Sequence, residues 1–308
     1  MRNAWLRKPW WWVGTLLLAG WARAEVESPV VVAEPAELAR RLLDSEALYT
    51  VTGGLKPVSS HFWHTRVAVG ECVQETLADV DHALQELPLS AEFESGLVVF
   101  SRPRGEWRHV SAFVAHRPSL QRLIERRPDA FEPLGVSVDD SAQEMLERID
   151  RGTPADRWRG FGLVFGYPDY AVEFFVAAGE EAERTGEFVE REFINLPTYT
   201  SDRGRFVYAV PRGHRFRWED WQLEQQVRQI FAHYRVWRAA YLAGGETESL
   251  ALLAAWTAHF GSLDAQPIGQ LVTRRTRLRC RITRRRTPAL RALGRVAIRR
   301  SGNRRTTN

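Results

Sequence analysis

Cysteine and lysine are both scarce in this chain, and familiar catalytic signatures are missing. Of 308 residues only Cys72 and Cys280 are cysteines, too few to give a framework of spacings to read. A single bridge between them would tie the C-terminal segment to the body. Lysine occurs only as Lys8 and Lys56, among 43 basic residues, so positive charge is otherwise carried by arginine. There is no nucleophile elbow, no P-loop, no His-Glu-x-x-His and no paired Cys-x-x-Cys. No cofactor and no metal are expected on these grounds. No segment after residue 24 is apolar enough to span a membrane.

What is present begins with an address. Arg2, Arg7 and Lys8 precede a short apolar segment over 10–21, and Ala22-Arg-Ala24 follows as an Ala-x-Ala cleavage site. That order is a secretory signal peptide over 1–24, with cleavage before Glu25 and export to the periplasm or the extracellular space. Charge is unevenly placed. Fourteen arginines and no acid occupy 271–308, whereas 25–270 carries 25 basic against 38 acidic residues, a net of −13. The chain therefore joins an acidic body to a basic tail, and its overall charge of +5 describes neither.

Along the body, 25–35 is a proline-flanked linker and 36–47 has the leucine spacing of a helix. The stretch 48–57 is a β-branched run that ends in a Gly-Gly turn, and Pro57 forces Lys56 into extended backbone. A helical stripe starts at Val73. Alternating runs over 91–100 and 107–115, joined by turn residues, predict a β-hairpin. A helix follows from Pro118, and Ser141 with Glu144 forms a capping box that opens another. The central unit, 159–211, reads as an apolar strand over 161–166, a helix opened by Tyr167-Pro-Asp169, and a second strand over 206–210. A long helix with Leu223, Val227, Ile230 and Tyr234 on one face, then a last helix over 248–260, complete the order. Mixed elements without strict alternation predict an α+β fold. It is a single domain over 36–262, with one mixed sheet containing the hairpin and several amphipathic helices as cover. Residues 263–308 are read as a disordered basic tail.

Four motifs recur in the order of a known group: Gly54-Leu-Lys-Pro57, Gly166-Tyr-Pro168, Val172 with Phe175, and Gly204-Arg-Phe-Val-Tyr208. In them the chain resembles an uncharacterised bacterial family of unknown function, over about 48–242. The resemblance implies a shared fold and carries no activity with it. The leader, the basic tail and a long insert over 188–202 depart from the family's pattern.

Three residues stand out as a candidate ligand site: Lys56, Tyr167 and Asp169. Lys56 is the lone lysine of the exported chain, placed where an arginine fork does not fit or an amine of adjustable pKa is wanted. Tyr167 and Asp169 lie between a strand's carboxyl end and a helix start, where free amides meet ligands. The plainer account is that Pro168 and Asp169 simply start a helix. Gly160, Gly162 and Gly166 fall inside the expected strand, which suits close packing better than a phosphate cradle. His61, His64 and His82 are spaced for a metal but lack further ligands, and Phe62-Trp63 between the first two suggests a partly buried aromatic loop. The function expected is an exported, non-catalytic module binding a small molecule or a protein partner at the Lys56 face. The alternatives are an enzyme using Lys56 and a surface-attachment protein. The latter would work through its tail on an anionic surface, lipid headgroup or polysaccharide.

Overall fold

The computed structural model describes residues 34–245 and 248–261, so the leader, the Arg-rich tail and Cys280 lie outside the described residues, while Cys72 is exposed. Helix α1 (Pro35–Asp44) leads through a 3-10 turn (Glu46–Tyr49) to β1 (Val58–Ala68). Two short helices, α2 (Val73–Thr76) and α3 (Ala78–Gln85), precede the hairpin strands β2 (Phe93–Val99) and β3 (Trp107–His116). Then come α4 (Arg117–Arg126), α5 (Pro128–Phe131), α6 (Ala142–Arg151), α7 (Pro154–Val164) and α8 (Asp169–Thr185). Strands β4 (Arg191–Thr198) and β5 (Ser201–Pro211), the long α9 (Trp218–Tyr241) and α10 (Glu248–Phe260) follow.

The class is α+β. The strands divide between two antiparallel sheets, β1-β3-β2 and β4-β5, in place of one mixed sheet. The reason is that 161–166, read from its apolar run as a strand, is the end of helix α7 (161–164) and the turn after it (165–166). Thr153 caps that helix by accepting from the Asp156 amide, and Pro154 sits in its first turn. The last turn of α7, 160–164, is buried all round and shows no periodicity, so its apolar run looks the same as a buried strand. Its glycines mark close packing: a Cβ on Gly160 would stand 2.8 Å from Ile149 of α6, and one on Gly162 would stand 2.9 Å from Val172 of α8.

A second exchange occurs upstream. Residues 48–57 form turns in place of a strand, and the strand is Val58–Ala68. Threonine hydroxyls explain it: Thr52 Oγ1 donates to the Leu48 carbonyl at 2.6 Å, and Thr50 Oγ1 pairs with Ser59 Oγ at 2.8 Å. Side-chain bonds of this kind satisfy turn backbone without a ladder. Elsewhere the expected elements stand, including the reciprocal capping box of Ser141 and Glu144 at the start of α6.

Strand β3 is central and buried on both faces. Val110, Ala112 and Val114 face a core shared with Leu42 of α1, Phe206 of β5, Val227 of α9 and Trp256 of α10. Phe113 and Ala115 face a second core with Met145, Ile149 and Phe161. The two cores meet at the turn between α7 and α8. There Gly166 adopts φ +72°, and a Cβ on it would lie 3.1 Å from the Leu55 carbonyl oxygen and 3.2 Å from Lys56 Cα. Gly213 has a similar φ of +73° with open space around it. Gly166→Ala is therefore expected to cost about 2 kcal/mol or more, and Gly213→Ala about 1 kcal/mol from backbone strain alone. Denaturant unfolding measures both; equal losses would contradict the close seating of the 55–56 backbone on Gly166.

Candidate functional site

Lys56 is drawn inward by its position after the turn: its backbone amide donates to the Tyr49 carbonyl at 3.4 Å, and its side chain is 0% exposed. The ammonium lies 2.7 Å from Glu46 Oε2. It also sits 4.4 Å from the centroid of the Phe206 ring, 5.5 Å from Phe165 and 5.7 Å from Tyr167. Burial pulls the lysine's pKa down, and the charge and hydrogen bond of Glu46 push it back up. Tyr167 is shifted the other way, upward, by burial first and then by the same carboxylate. A compact ammonium suits a cage of three ring faces and one carboxylate better than a planar guanidinium does, which gives the lone lysine a physical reason.

Lys56 and Tyr167 thus come together, but Asp169 does not join them. It is exposed at the first turn of α8, where it binds Arg127 Nη1 at 2.8 Å, and Arg127 also holds Asp129. The three residues share no open face. The motif residues do converge. Leu55 and Lys56 rest on Gly166, Tyr167 and Phe206 cage the lysine, and Val172 packs on Gly162.

A different feature is open to solvent, and the sequence reading passed over it. On α9, Asp220, Leu223, Val227, Ile230 and Tyr234 are buried along the inner face. Trp218 and Trp221 fall on the opposite face, 63% and 46% exposed, and Phe216 just before the helix is 53% exposed. The two indoles stack with centroids 4.7 Å apart and planes 19° apart. Two tryptophans three residues apart, off the apolar stripe and ahead of it, were the available signal.

The helix start beneath them is clamped by Asp220, whose side chain is fully buried. It accepts from the Arg217 amide at 2.7 Å and Tyr208 Oη at 2.6 Å, from Tyr170 Oη, and pairs with His214 Nε2 at 2.8 Å. Burial alone would raise the Asp220 pKa; the hydrogen bonds, led by those of Tyr170 and Tyr208, outweigh it and hold the carboxyl below its usual range. Burial and Asp220 together raise both tyrosines. Around this hub His214 stacks on Tyr170 at 5.4 Å, and the Arg217 guanidinium lies 4.0 Å from the centroid of the same ring. Among the described residues no group of three or more His, Cys, Asp or Glu could hold a metal ion, and no helix is long and apolar enough to cross a membrane.

No family model, no curated protein and no solved structure matches this chain.

The Lys56 cage makes its own prediction. Lys56→Met strands a largely buried carboxylate and is expected to cost about 3 kcal/mol. Adding Glu46→Gln removes that stranded charge, so the double variant should be more stable than the sum of the single losses by roughly 1–3 kcal/mol. Strictly additive losses in denaturant unfolding would show that the two side chains do not act as a pair.

Proposed function

We propose that the protein is an exported, non-catalytic binding module that docks on an anionic phospholipid surface through Phe216, Trp218 and Trp221. The observation that carries this is the stacked, exposed tryptophan pair on a helix start that a buried carboxylate holds rigid. Large exposed aromatic patches mark interaction surfaces, and indoles sit favourably where an apolar layer meets polar headgroups. Charge supports the choice of partner. Arg212, Arg215 and Arg217 flank the patch on its N-terminal side, and the sequence beyond it carries fourteen arginines over 271–308 without an acid. Each basic residue near an anionic leaflet contributes about 1 kcal/mol. The acidic body, net −13 over 25–270, would be repelled elsewhere, so orientation follows from the same charges. A sealed lysine in an aromatic cage supports a structural role for Lys56 over one as nucleophile or ligand contact.

The test is co-sedimentation of the protein beginning at Glu25 with phosphatidylcholine vesicles, with and without phosphatidylglycerol. Binding should require the anionic lipid and weaken as salt rises. Trp218→Ala with Trp221→Ala should weaken it about tenfold or more with little change in melting temperature. Removing residues 262–308 should lower affinity and leave the tryptophan dependence in place. Vesicle binding unaffected by the double substitution would overturn the reading, as would binding to heparin alone.

A further inference from the structure

Strand β1 is interrupted where its sequence carries His61-Phe-Trp-His64. Pairing with β3 runs Ser60 to Phe113 and resumes at His64 to Ser111, so three residues bulge opposite Ala112. His61 sits there with φ 73°, the one non-glycine residue with positive φ among those described. Such backbone costs roughly 1–3 kcal/mol and persists only where surroundings hold it. Here the buried Ser111 does so, accepting from the His61 amide at 2.9 Å and donating to the Trp63 carbonyl at 3.3 Å. Phe62 and Trp63 turn into the core.

The consequence is a cluster that strand geometry alone would not build. His61 stacks on His109 at 5.4 Å and 21°, His64 lies 5.6 Å from His109, and His61 lies 6.4 Å from His64. Phe100 backs His61 and His109 at 6.1 and 5.6 Å. Arg66 is the register partner of His109, and Arg104 lies on the β2–β3 connection close enough to act on that imidazole. From the helices, Arg157 stacks 5.9 Å from Phe100, and the nearby Asp150 is committed to Arg157 at 2.7 Å and to the Ser101 amide. Imidazoles and guanidiniums, with the adjoining carboxylate already committed, are the donor set of an oxyanion site.

We infer that His61, His64, Arg66, Arg104 and His109 form a binding site for a phosphate-type oxyanion at the Phe100 end of the β1–β3 ladder, on the face that carries Phe113. Burial, with the charges of His64, Arg104 and Arg66, holds His109 down to about 4. A bound dianion reverses that field. His109 then takes up a proton more readily, and its contribution to affinity grows as pH falls through about 5 toward about 4.

Imidazole NMR of the protein beginning at Glu25, titrated with inorganic phosphate, tests this directly. His61, His64 and His109 signals should shift saturably and together, with the His109 pKa rising by about one unit or more, while His82 and His214 stay in place. His64→Gln with Arg66→Gln should weaken binding about tenfold or more at an unchanged melting temperature. A second titration uses vesicles bearing phosphate headgroups. Saturation by free phosphate assigns a soluble ligand, and saturation by the vesicles alone assigns a headgroup. No saturable shift with either probe, or shifts equal in all eight histidines, would overturn the inference. The Trp218→Ala, Trp221→Ala protein should bind inorganic phosphate as before, which separates this site from the lipid-docking patch.

Discussion

One buried ion pair, Lys56 with Glu46, sets the constraint under which the middle of this molecule is built. Taking an ammonium fully out of water costs several kcal/mol, and a carboxylate at 2.7 Å with three ring faces around it offsets that cost without a large surplus. What the pair supplies is position. Glu46 comes from the turn after α1, Phe165 and Tyr167 from the connection between α7 and α8, and Phe206 from β5. Any of the three drifting away exposes an unpaired charge in the core, so they are held in one arrangement. The seating of Leu55 and Lys56 against Gly166 follows from the same requirement.

Two further buried carboxylates repeat the logic at the long helix. Asp44, at the end of α1, holds Arg238 Nε at 2.7 Å and Tyr234 Oη at 2.6 Å, fixing α9 near its C-terminal end. Asp220 fixes the other end through two tyrosines, a histidine and a backbone amide. A helix tied at both ends presents its outer face as a rigid surface, and the tryptophan pair stands on that face. Binding surfaces gain from such preorganisation, because little side-chain freedom is left to lose.

How much of this was legible in sequence depends on how local the cause was. The stripes of α6 and α9, the capping box at Ser141 and the β2–β3 hairpin are written in spacings of a few residues and read correctly. The run at 161–166 did not, because the last turn of α7, 160–164, is buried on every side and has no polar face to reveal its period. Residues 48–57 look β-prone, yet Thr50 and Thr52 spend their hydroxyls on turn contacts that only the folded chain defines. Composition singled out Lys56, and the reading of a strand end and helix start at 166–169 brought Tyr167 to it. Its partner Glu46, ten residues upstream, left no pattern to find. His61 and His64 were visible as a pair, but His109 reaches them through a bulge that no spacing announces.

The pairing of Lys56 within the core is the claim on which the rest stands, and the chain offers an unusually clean way to test it. In the protein beginning at Glu25, Lys56 is the only lysine, so the α-amine and Lys56 are its only aliphatic amines. Exposure of the folded protein to an amine-acylating reagent, followed by mass spectrometry, reads both at once. The account expects the α-amine to be modified and Lys56 to remain untouched until denaturant is added, when it reacts fully. Acylation of Lys56 in the folded protein at the rate of an exposed lysine would contradict it.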